Sequence, residues 1–443
     1  MLKLYNTLTK KIEEVPKKDH INLYTCGPTV YNYAHIGNLR AYILADLLYR
    51  TLKYDGYKPK WVMNITDIDD KTIKGTLAKY GSNATVENLR EFCKFYLDEF
   101  LKDLGEVNVL KDEITFIRVT DVIPQIQDFV IGLIKKGYAY KAEDGSTYFS
   151  IEKYQKDFSD YGVLVGDKFI EGKKVGARVA VDEYEKENLS DFALWKAWDS
   201  SADGNIYWDH PELGKGRPGW HIECSVINQI GFGGEVTDIH TGGVDLIFPH
   251  HTNEIAQSQA LLGKGKFVKH WFHSEHLLVD GQRMGKRFNN FYRISDLKDK
   301  SFSGLDLRFL YAGVHYKSQE NFTWQALEAS RKGLDRALTN KPALSSFDDK
   351  QVRLAMEDDL AIADAIADVL GQNISLTLFT DLFGFGAKVA SVTPPEVQTL
   401  LTQRQAAKEQ KDFEKSDKLR KQIEASGYEV MDAPEGQKVK KKL

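Results

Sequence analysis

The chain has 443 residues, which at about 150 residues per domain suggests roughly three domains. Its composition is that of a globular protein, with 42% hydrophobic and 28% charged residues. The net charge of −4 excludes a uniformly basic nucleic-acid coat and a purely acidic disordered chain as descriptions of the whole molecule.

The cysteine content indicates a reducing compartment. Three cysteines, Cys26, Cys93 and Cys224, are too few and too odd in number for a disulfide scaffold. The N-terminus carries no secretory signal pattern, and the apolar runs are too short to cross a bilayer. We therefore expect a cytoplasmic protein that does not contact a membrane.

Strand and helix signals alternate in the first part of the chain. A buried strand is predicted over 21–26, and a helix follows it with Asn38 as the expected N-cap. A second strand is predicted over 60–65, and either Thr66 or Asp67 is expected to cap the next helix. Strand, helix and strand at this spacing predict the βαβ unit of a parallel sheet.

The later segments change in character. Short Gly- and Asp-rich pieces over 116–205 predict an insertion, and strand-like segments return at 236–241 and 267–279. From about residue 349 the chain is Ala-rich, and its pattern predicts helices and a helical hairpin. Residues 401–443 hold eleven basic and eight acidic side chains, a local charge of +3 that leaves −7 for the remainder. This basic end fits a phosphate backbone and fits a solvated terminus equally well.

Two distant cysteines and a His/Glu pair form the first candidate site. Pro249 suits the first turn of a helix, which places His250 and Glu254 four residues apart on one face. Cys26, at a strand end, and Cys224, in the segment PGWHIECS, could complete a tetrahedral set for Zn²⁺. No C-x-x-C pair is present, so buried structural cysteines remain an alternative.

The tetrapeptide HIGN, residues 35–38, lies where the first strand leads into the first helix. Gly37 and a helix N-terminus offer free N–H groups to a phosphate, and His35 can donate to phosphate oxygens in a transition state. By itself the tetrapeptide also fits an ordinary turn, and its position at a βα junction strengthens the case for nucleotide binding.

A basic loop, DGQRMGKRFNN over 280–290, follows a hydrophobic strand. Lys286 is a mobile point charge that can meet a triphosphate as charge develops during attack, assisted by Arg283 and Arg287. By itself the loop also fits a basic surface turn.

Taken together, these residues resemble the cysteinyl-tRNA synthetases of class I. The resemblance runs along essentially the whole chain, through YTCGPTVYNYAHIGN, NITDIDDK, GWHIECS, DIHTGG and DLIFPHHTNEIAQS. It implies an α/β fold in which a Rossmann-type catalytic domain is split by a connective insertion, and a stem-contact region and an all-α anticodon-binding domain follow. The implied limits are 1–115 and 206–295 for the catalytic halves, 116–205 for the insertion, 296–345 for the stem-contact region and 346–443 for the anticodon-binding domain with its basic tail.

The resemblance also implies the ligands of the metal and of the amino acid. Cys26, Cys224, His250 and Glu254 would hold one Zn²⁺ per chain, which the thiolate of the substrate cysteine would join. A serine or alanine side chain lacks the soft thiolate that zinc prefers, so the metal would select cysteine without an editing domain. The rest of the amino-acid pocket would be formed by Gly27, Thr29, Thr66, Trp220 and His240. Within it, Thr66 and His240 would hold the carboxylate and amino ends, and Trp220 would wall the side-chain pocket.

ATP would bind the two signature segments, at His35, Gly37, Asn38, Met284 and Lys286. HIGN corresponds to the HIGH signature of the family, and RMGKR over 283–287 takes the place of KMSKS. With Mg²⁺ as co-substrate ion, His35, Asn38 and Lys286 would act in catalysis. Cysteine and ATP would form cysteinyl-adenylate, which then acylates the terminal ribose of tRNA(Cys). Orientation and charge stabilisation would supply most of the catalysis, and we expect a monomer.

Two other functions remain open from the sequence. A related ligase joins cysteine to an amino sugar through the same adenylate, but such enzymes lack the helical, basic end that residues 349–443 provide. A catalytically silent zinc-binding paralogue that binds tRNA is supported only by the altered RMGKR loop. Aminoacylation and adenylate formation distinguish the three.

Overall fold

The structure, a computed structural model, describes residues 1–166, 175–179, 189–285, 288, 290–339, 350–371, 376–385, 395–433 and 436–441. Its strands are β1 (Lys3–Asn6), β2 (Lys11–Glu14), β3 (Ile21–Thr25), β4 (Pro59–Ile65), β5 (Ile114–Arg118), β6 (Ala139–Lys141), β7 (Thr147–Phe149), β8 (Val175–Val179), β9 (Leu189–Ala197), β10 (Gly216–Pro218), β11 (Thr237–Gly243), β12 (Val268–Ser274), β13 (Leu277–Val279), β14 (Gln282–Arg283), β15 (Glu320–Phe322), β16 (Tyr428–Ala433) and β17 (Gly436–Lys441).

The α-helices of the described residues alternate with the strands up to residue 339 and dominate the chain beyond it. They are α1 (Ile36–Tyr54), α2 (Asp70–Tyr80), α3 (Val86–Glu106), α4 (Ile123–Lys135), α5 (Ile151–Phe158), α6 (Trp220–Gly231), α7 (Thr252–Leu262), α8 (Ile294–Asp299), α9 (Gly304–Ala312), α10 (Trp324–Thr339), α11 (Lys350–Glu357), α12 (Ile362–Gly371), α13 (Leu376–Asp381), α14 (Pro395–Glu409) and α15 (Phe413–Ala425). A π-helical turn (Ile247–His251) leads directly into α7.

A five-stranded parallel sheet of order β12-β11-β3-β4-β5 forms the centre of the fold. All five residues of β3 are buried, as expected for a parallel sheet that is covered on both faces. The predicted βαβ unit is therefore confirmed. The segment predicted as one strand over 267–279 forms two, because β12 stays in the central sheet whereas β13 pairs with β14 and β15.

Both helix caps differ from the sequence-based expectation. Helix α1 begins after His35 rather than after Asn38, since the His35 ring accepts from the backbone N–H of Asn38. Helix α2 begins after Asp69, whose carboxylate accepts from the Thr72 N–H at 2.7 Å. Thr66 does not cap α2, because it lies at the end of β4 and its hydroxyl bonds elsewhere. Asp67 accepts instead from Thr120, at 2.9 Å from its backbone nitrogen and 2.6 Å from its hydroxyl.

A second sheet, of order β10-β9-β7-β6 with β8 beside β9, lies between the halves of the central sheet along the chain. The predicted insertion, 116–205, begins inside β5 and ends before β10. Strand β5 pairs in parallel with β4, and β10 pairs with β9, so hydrogen bonding places 118 in the central sheet and 216–218 in the second sheet. The sheet that a strand joins is decided by a partner strand that is distant in the sequence, and local composition does not identify that partner.

The C-terminal part is helical from α11 to α15, as expected, but it is not all-α. Strands β16 and β17 form an antiparallel hairpin at its end. Tyr428 and Val430 of β16 are buried against Val397, Leu401 and Ile423, so the hairpin closes a small core of its own. No helix in the described part of the chain has both the length and the apolar character needed to cross a membrane.

Candidate active site

A cavity of about 550 Å³ opens at the carboxyl ends of β3 and β11. Ligands of open parallel α/β sheets bind at this edge, where side chains from several strand ends and helix starts meet. Its wall combines the loop that follows β3, the first turns of α1, the start of α6, residues 241–246 and the turn after β12. Of the predicted site residues, it includes Cys26, Gly27, Thr29, His35, Gly37, Asn38, Trp220, Cys224, His250 and Met284.

The predicted metal ligands meet at the inner end of this cavity. The Sγ atoms of Cys26 and Cys224 are 3.8 Å apart. His250 Nε2 lies 3.4 Å from Cys224 Sγ and 3.1 Å from Glu254 Oε1. One ligand atom from each of the four residues lies within 4.8 Å of every other, and all four residues are buried. The structure thus brings together all four residues that the sequence singles out for zinc.

A second group shares two of these side chains. Cys26 and Glu254 also lie within ligand distance of His240 and His251. His251 Nε2 is 3.3 Å from Cys26 Sγ, and its Nδ1 is 2.7 Å from His273 Nε2. Sequence reasoning missed His251 and His273. For His251, the only signal in the sequence was its place as the second histidine of the PHH run. His273 gave no signal, because its position in the site depends on the pairing of β12 with β11.

The donor set fits a soft divalent cation. Burial raises the pKa of the Cys26 thiol and that of the Glu254 carboxyl, because the pocket disfavours their anionic forms. Burial likewise lowers the pKa of His250, which therefore stays neutral at pH 7. Two sulfurs, a neutral imidazole and a carboxylate, packed in a dry pocket, match the ligand types that Zn²⁺ prefers.

Packing of α6 against α7 fixes the ligands that these helices and the preceding turn carry. Gln257 Nε2 donates to the backbone oxygen of His221 at 2.6 Å and to Ser225 Oγ at 2.7 Å. The Trp220 ring stacks on His250, with centroids 4.3 Å apart and planes at 24°. Trp220 thus lines the cavity next to the ligand cluster, and its place in the side-chain pocket stays a prediction.

The HIGN turn forms the opposite wall. The His35 backbone N–H donates to Asn38 Oδ1, and the Asn38 N–H donates to His35 Nδ1, both at 3.1 Å. A Cβ atom on Gly37 would lie 3.0 Å from His35 Nδ1 and 3.6 Å from Met284 Cε. A larger residue would therefore crowd the His35 ring, whereas Met284 is at ordinary contact distance, and the two signature segments meet here.

The basic loop is anchored by Asn290, which sequence reasoning did not single out. Its Oδ1 accepts from the Gly285 N–H at 2.8 Å, and its Nδ2 donates to the Arg283 backbone oxygen at 3.1 Å. Arg283 and Met284 line the cavity. Lys286 and Arg287 lie outside the described residues.

The remaining predicted contacts divide into two groups. Gly27 and Thr29 line the cavity, and a Cβ on Gly27 would lie only 1.7 Å from the Asn64 backbone oxygen, so no other residue fits there. Among the described residues of the cavity wall, Thr66 and His240 are not found. The Thr66 hydroxyl donates to Glu223 Oε2 at 2.8 Å, and His240 Nε2 lies 3.2 Å from Glu254 Oε2. Their contact with the two ends of the substrate stays a prediction.

Sequence comparison places both parts of the chain in known families. Residues 12–332 match the family described as tRNA synthetases class I (C) catalytic domain, and residues 391–439 match the cysteinyl-tRNA ligase anticodon binding domain. A cysteine–tRNA ligase of Protochlamydia amoebophila is 40% identical over 482 residues, which cover 99% of this chain and 98% of that protein. The cysteine–tRNA ligase of Chlamydia felis is 41% identical over 480 residues, with the same coverage.

Comparison with solved structures supports the fold. A methionyl-tRNA synthetase of Mycobacterium tuberculosis, solved with methionyl-adenylate, matches with a TM-score of 0.57 at 13% identity, over 80% of this chain and 82% of that one. A leucyl-tRNA synthetase of Agrobacterium radiobacter, solved with tRNA, matches with a TM-score of 0.56 at 11% identity, over 84% and 83%. From whole-length identity, both family matches and the shared fold together, the chain belongs to the cysteine–tRNA ligase family of class I tRNA synthetases.

Proposed function

We propose that this enzyme ligates L-cysteine to the 3′ end of tRNA(Cys) at the expense of ATP, through a cysteinyl-adenylate, and selects cysteine by coordination to a zinc ion. The observation that carries the zinc step is the meeting of Cys26, Cys224, His250 and Glu254 at the inner end of the cavity. Family membership supplies the reaction class, and the cluster supplies the reason for its amino-acid specificity.

Zinc held by these four residues would supply a thiolate-preferring Lewis acid, which distinguishes cysteine from serine. The protein's own contribution is the shape and dryness of the pocket. The Trp220 ring, stacked on His250, walls the side-chain end of the cavity and limits access of water. Gly27 and Thr29 line the cavity beside Cys26 and are the candidate contacts for the amino acid's polar end. Thr66 and His240 are the proposed contacts for the carboxylate and amino ends of the cysteine.

The other end of the cavity suits a triphosphate. The first turn of α1 presents its N-terminus there, which favours negative charge. Because His35 Nδ1 accepts a hydrogen bond from the Asn38 N–H, the ring proton of the neutral form lies on Nε2. Burial lowers the pKa of His35 to about 4, so the ring donates as a neutral group at pH 7. Lys286 would stabilise the charge that develops during attack on the α-phosphate, and a bound Mg²⁺ would supply further positive charge there.

The C-terminal helices and the hairpin are the proposed tRNA-reading part, acting in a monomeric, cytoplasmic enzyme. We retain the division predicted from the sequence, but propose that the insertion begins after 118 and ends at 218, which the pairing of β5 with β4 and of β10 with β9 supports. The match of residues 391–439 to an anticodon-binding domain favours tRNA over an amino sugar as the acceptor.

The deciding experiment is aminoacylation of tRNA(Cys) with cysteine and with serine, with and without a zinc chelator. We expect charging with cysteine alone, its loss with the chelator and its return on addition of Zn²⁺. Cysteine-dependent ATP–pyrophosphate exchange by metal-free protein would contradict the zinc step. Exchange without tRNA charging would identify a different acceptor, and no exchange at all would identify a silent paralogue.

A further inference from the structure

The two sulfur ligands come from parts of the chain that are 198 residues apart. Cys26 follows β3, whereas Cys224 lies in the second turn of α6. Neither segment by itself determines the distance between the sulfurs. The end of β4 contacts both segments through two polar side chains, Asn64 in the strand and Thr66 directly after it, with 2% and 1% of their surface exposed.

Asn64 holds the segment that carries Cys26. Its Oδ1 accepts from the backbone N–H of Gly27 at 2.7 Å and from the Tyr24 hydroxyl at 3.2 Å. These two donors flank Cys26 closely in the sequence. A buried amide oxygen that accepts two hydrogen bonds is fully used, so the loop cannot shift without leaving a buried polar group unsatisfied.

Thr66 continues the same chain of hydrogen bonds toward Cys224. Asn64 Nδ2 donates to Thr66 Oγ1 at 3.1 Å, and Thr66 Oγ1 donates to Glu223 Oε2 at 2.8 Å. Glu223 is buried and directly precedes Cys224 in α6. The backbone of Thr66 also exchanges hydrogen bonds with the loop after Cys26, donating to Pro28 O and accepting from the Val30 N–H, both at 3.1 Å.

We propose that Asn64 and Thr66 are positioning residues that fix the separation of Cys26 and Cys224, and thereby set the affinity of the site for its metal. The proposal rests on the proposed zinc site. It also gives Thr66 a definite task, since its hydroxyl proton is used on Glu223 rather than on a ligand in the cavity. Partners that orient metal ligands in this way typically affect metal affinity by about 10- to 100-fold.

The test compares the variants Asn64→Ala, Thr66→Val and Thr66→Ser with Asn22→Ala. Serine keeps the hydroxyl of Thr66, whereas valine removes it at nearly constant volume. Asn22 is a matched control, because it is a buried asparagine on the adjacent strand β3 whose side chain bonds to Glu235 and the Val236 backbone instead. The readouts are zinc affinity by chelator competition, the absorption spectrum of the Co²⁺-substituted protein and thermal unfolding.

We expect Asn64→Ala and Thr66→Val to bind zinc about 10- to 100-fold more weakly and to shift the cobalt–thiolate absorption. Thr66→Ser should retain both properties, and Asn22→Ala should lose thermal stability while keeping the wild-type spectrum. If Asn64→Ala and Thr66→Val bind both metals like the wild type, the positioning role is wrong although the zinc site stands. If the wild type binds neither zinc nor cobalt, the zinc site fails, and this inference fails with it. Thr66→Val, the gentler change, remains informative if Asn64→Ala does not fold.

Discussion

His35 and Asn38 each accept a hydrogen bond from the other's backbone N–H, at 3.1 Å in both directions. This reciprocal pair starts α1 and at the same time orients the His35 ring in the cavity wall. The residue expected to cap the helix is thus the third residue of its first turn, and the expected phosphate donor is the cap. The segment that we propose to bind ATP is therefore also the one that starts the helix.

Substitution of Asn38 tests this coupling. Asn38→Ala removes the acceptor for the His35 N–H, and we expect a loss of about 0.5–2 kcal/mol in unfolding free energy together with slower ATP–pyrophosphate exchange. Asn88 provides a matched control, because its Oδ1 accepts from the Thr85 backbone N–H at the start of α3, at 3.1 Å. Asn88→Ala should cost similar stability and leave exchange unchanged. Equal exchange rates in the two variants would show that the pair has no catalytic role.

The state of His35 can be measured directly. Burial lowers the pKa of His35 to about 4, against an ordinary value near 6.5, so the native ring stays neutral where the unfolded ring gains a proton. Because the unfolded state then binds more protons, this group's contribution to stability is present above pH 6.5 and is lost as the pH falls toward 4. We expect a ring titration by NMR, assigned with His35→Gln, to have its midpoint near 4. A midpoint near 6.5 would contradict the buried environment.

Removal of one sulfur ligand should empty the metal site. We expect wild-type protein to contain one zinc per chain and Cys224→Ala to contain none, because three ligands from distant segments hold the ion too weakly. Cys93→Ala is the control. Cys93 is also buried, but its thiol donates to the Asp67 backbone oxygen at 3.3 Å, so its loss should lower stability and leave the zinc content at one. Metal analysis after dialysis measures both.

A fourth prediction concerns the basic loop, which we propose supplies positive charge for adenylation. We expect Lys286→Ala to raise the barrier to adenylate formation by about 2–4 kcal/mol, a roughly 30- to 1,000-fold slower single-turnover rate. Lys264→Ala is a control for loss of a lysine, because that side chain is exposed and pairs with Asp160 at 2.9 Å. Its rate should equal that of the wild type. An unchanged rate in Lys286→Ala would assign the charge stabilisation to other groups.

A buried ion pair joins α1 to α9. Arg308 and Asp46 are both fully buried, and Arg308 also donates to the backbone oxygens of Phe383 and Val107, at 2.7 and 3.0 Å. Arg308→Ala leaves two buried carbonyl acceptors unpaired and removes one of the two cations that contact Asp46, the other being Arg50 at 2.7 Å. We therefore expect a loss of about 3–5 kcal/mol in unfolding free energy.

An exposed pair provides the comparison for this ion pair. Lys298 and Glu106 lie 2.6 Å apart, and about half of the lysine side chain is exposed, at 49%. Lys298→Ala should cost under about 1 kcal/mol, because water solvates both charges and screens their attraction. Chemical denaturation measures both variants. Similar small losses would show that Asp46 is satisfied by its remaining bonds to Arg50 and the Leu110 N–H.

The sequence predicted what depends on local pattern. The buried strand β3 is a local signal and is confirmed. His250 and Glu254 meet at 3.1 Å as expected, but the α-helix begins at Thr252, and His250 lies in the π-helical turn before it rather than on that helix. The expectation that Cys26 and Cys224 meet depended on the family resemblance. No spacing rule in the sequence indicates that β11 inserts beside β3 or that α6 lies near the end of β3. The bonds of Asn64 and Thr66 were not predictable, because their partners are brought together only by tertiary packing. The hairpin of β16 and β17 was missed since its short strands follow a long helical pattern.

The order of strands in the central sheet determines when each strand can pair during synthesis. Strands β3, β4 and β5 leave the ribosome early, but the other edge of β3 pairs with β11, and the bonded residues Asn22 and Asp238 are 216 residues apart. At about 5–20 residues per second, that edge stays uncovered for on the order of 10–40 s. An apolar strand edge exposed for this long is a site for wrong pairing. The nascent chain is therefore most vulnerable while its insertion is being made, and it can bind its metal only when that interval ends.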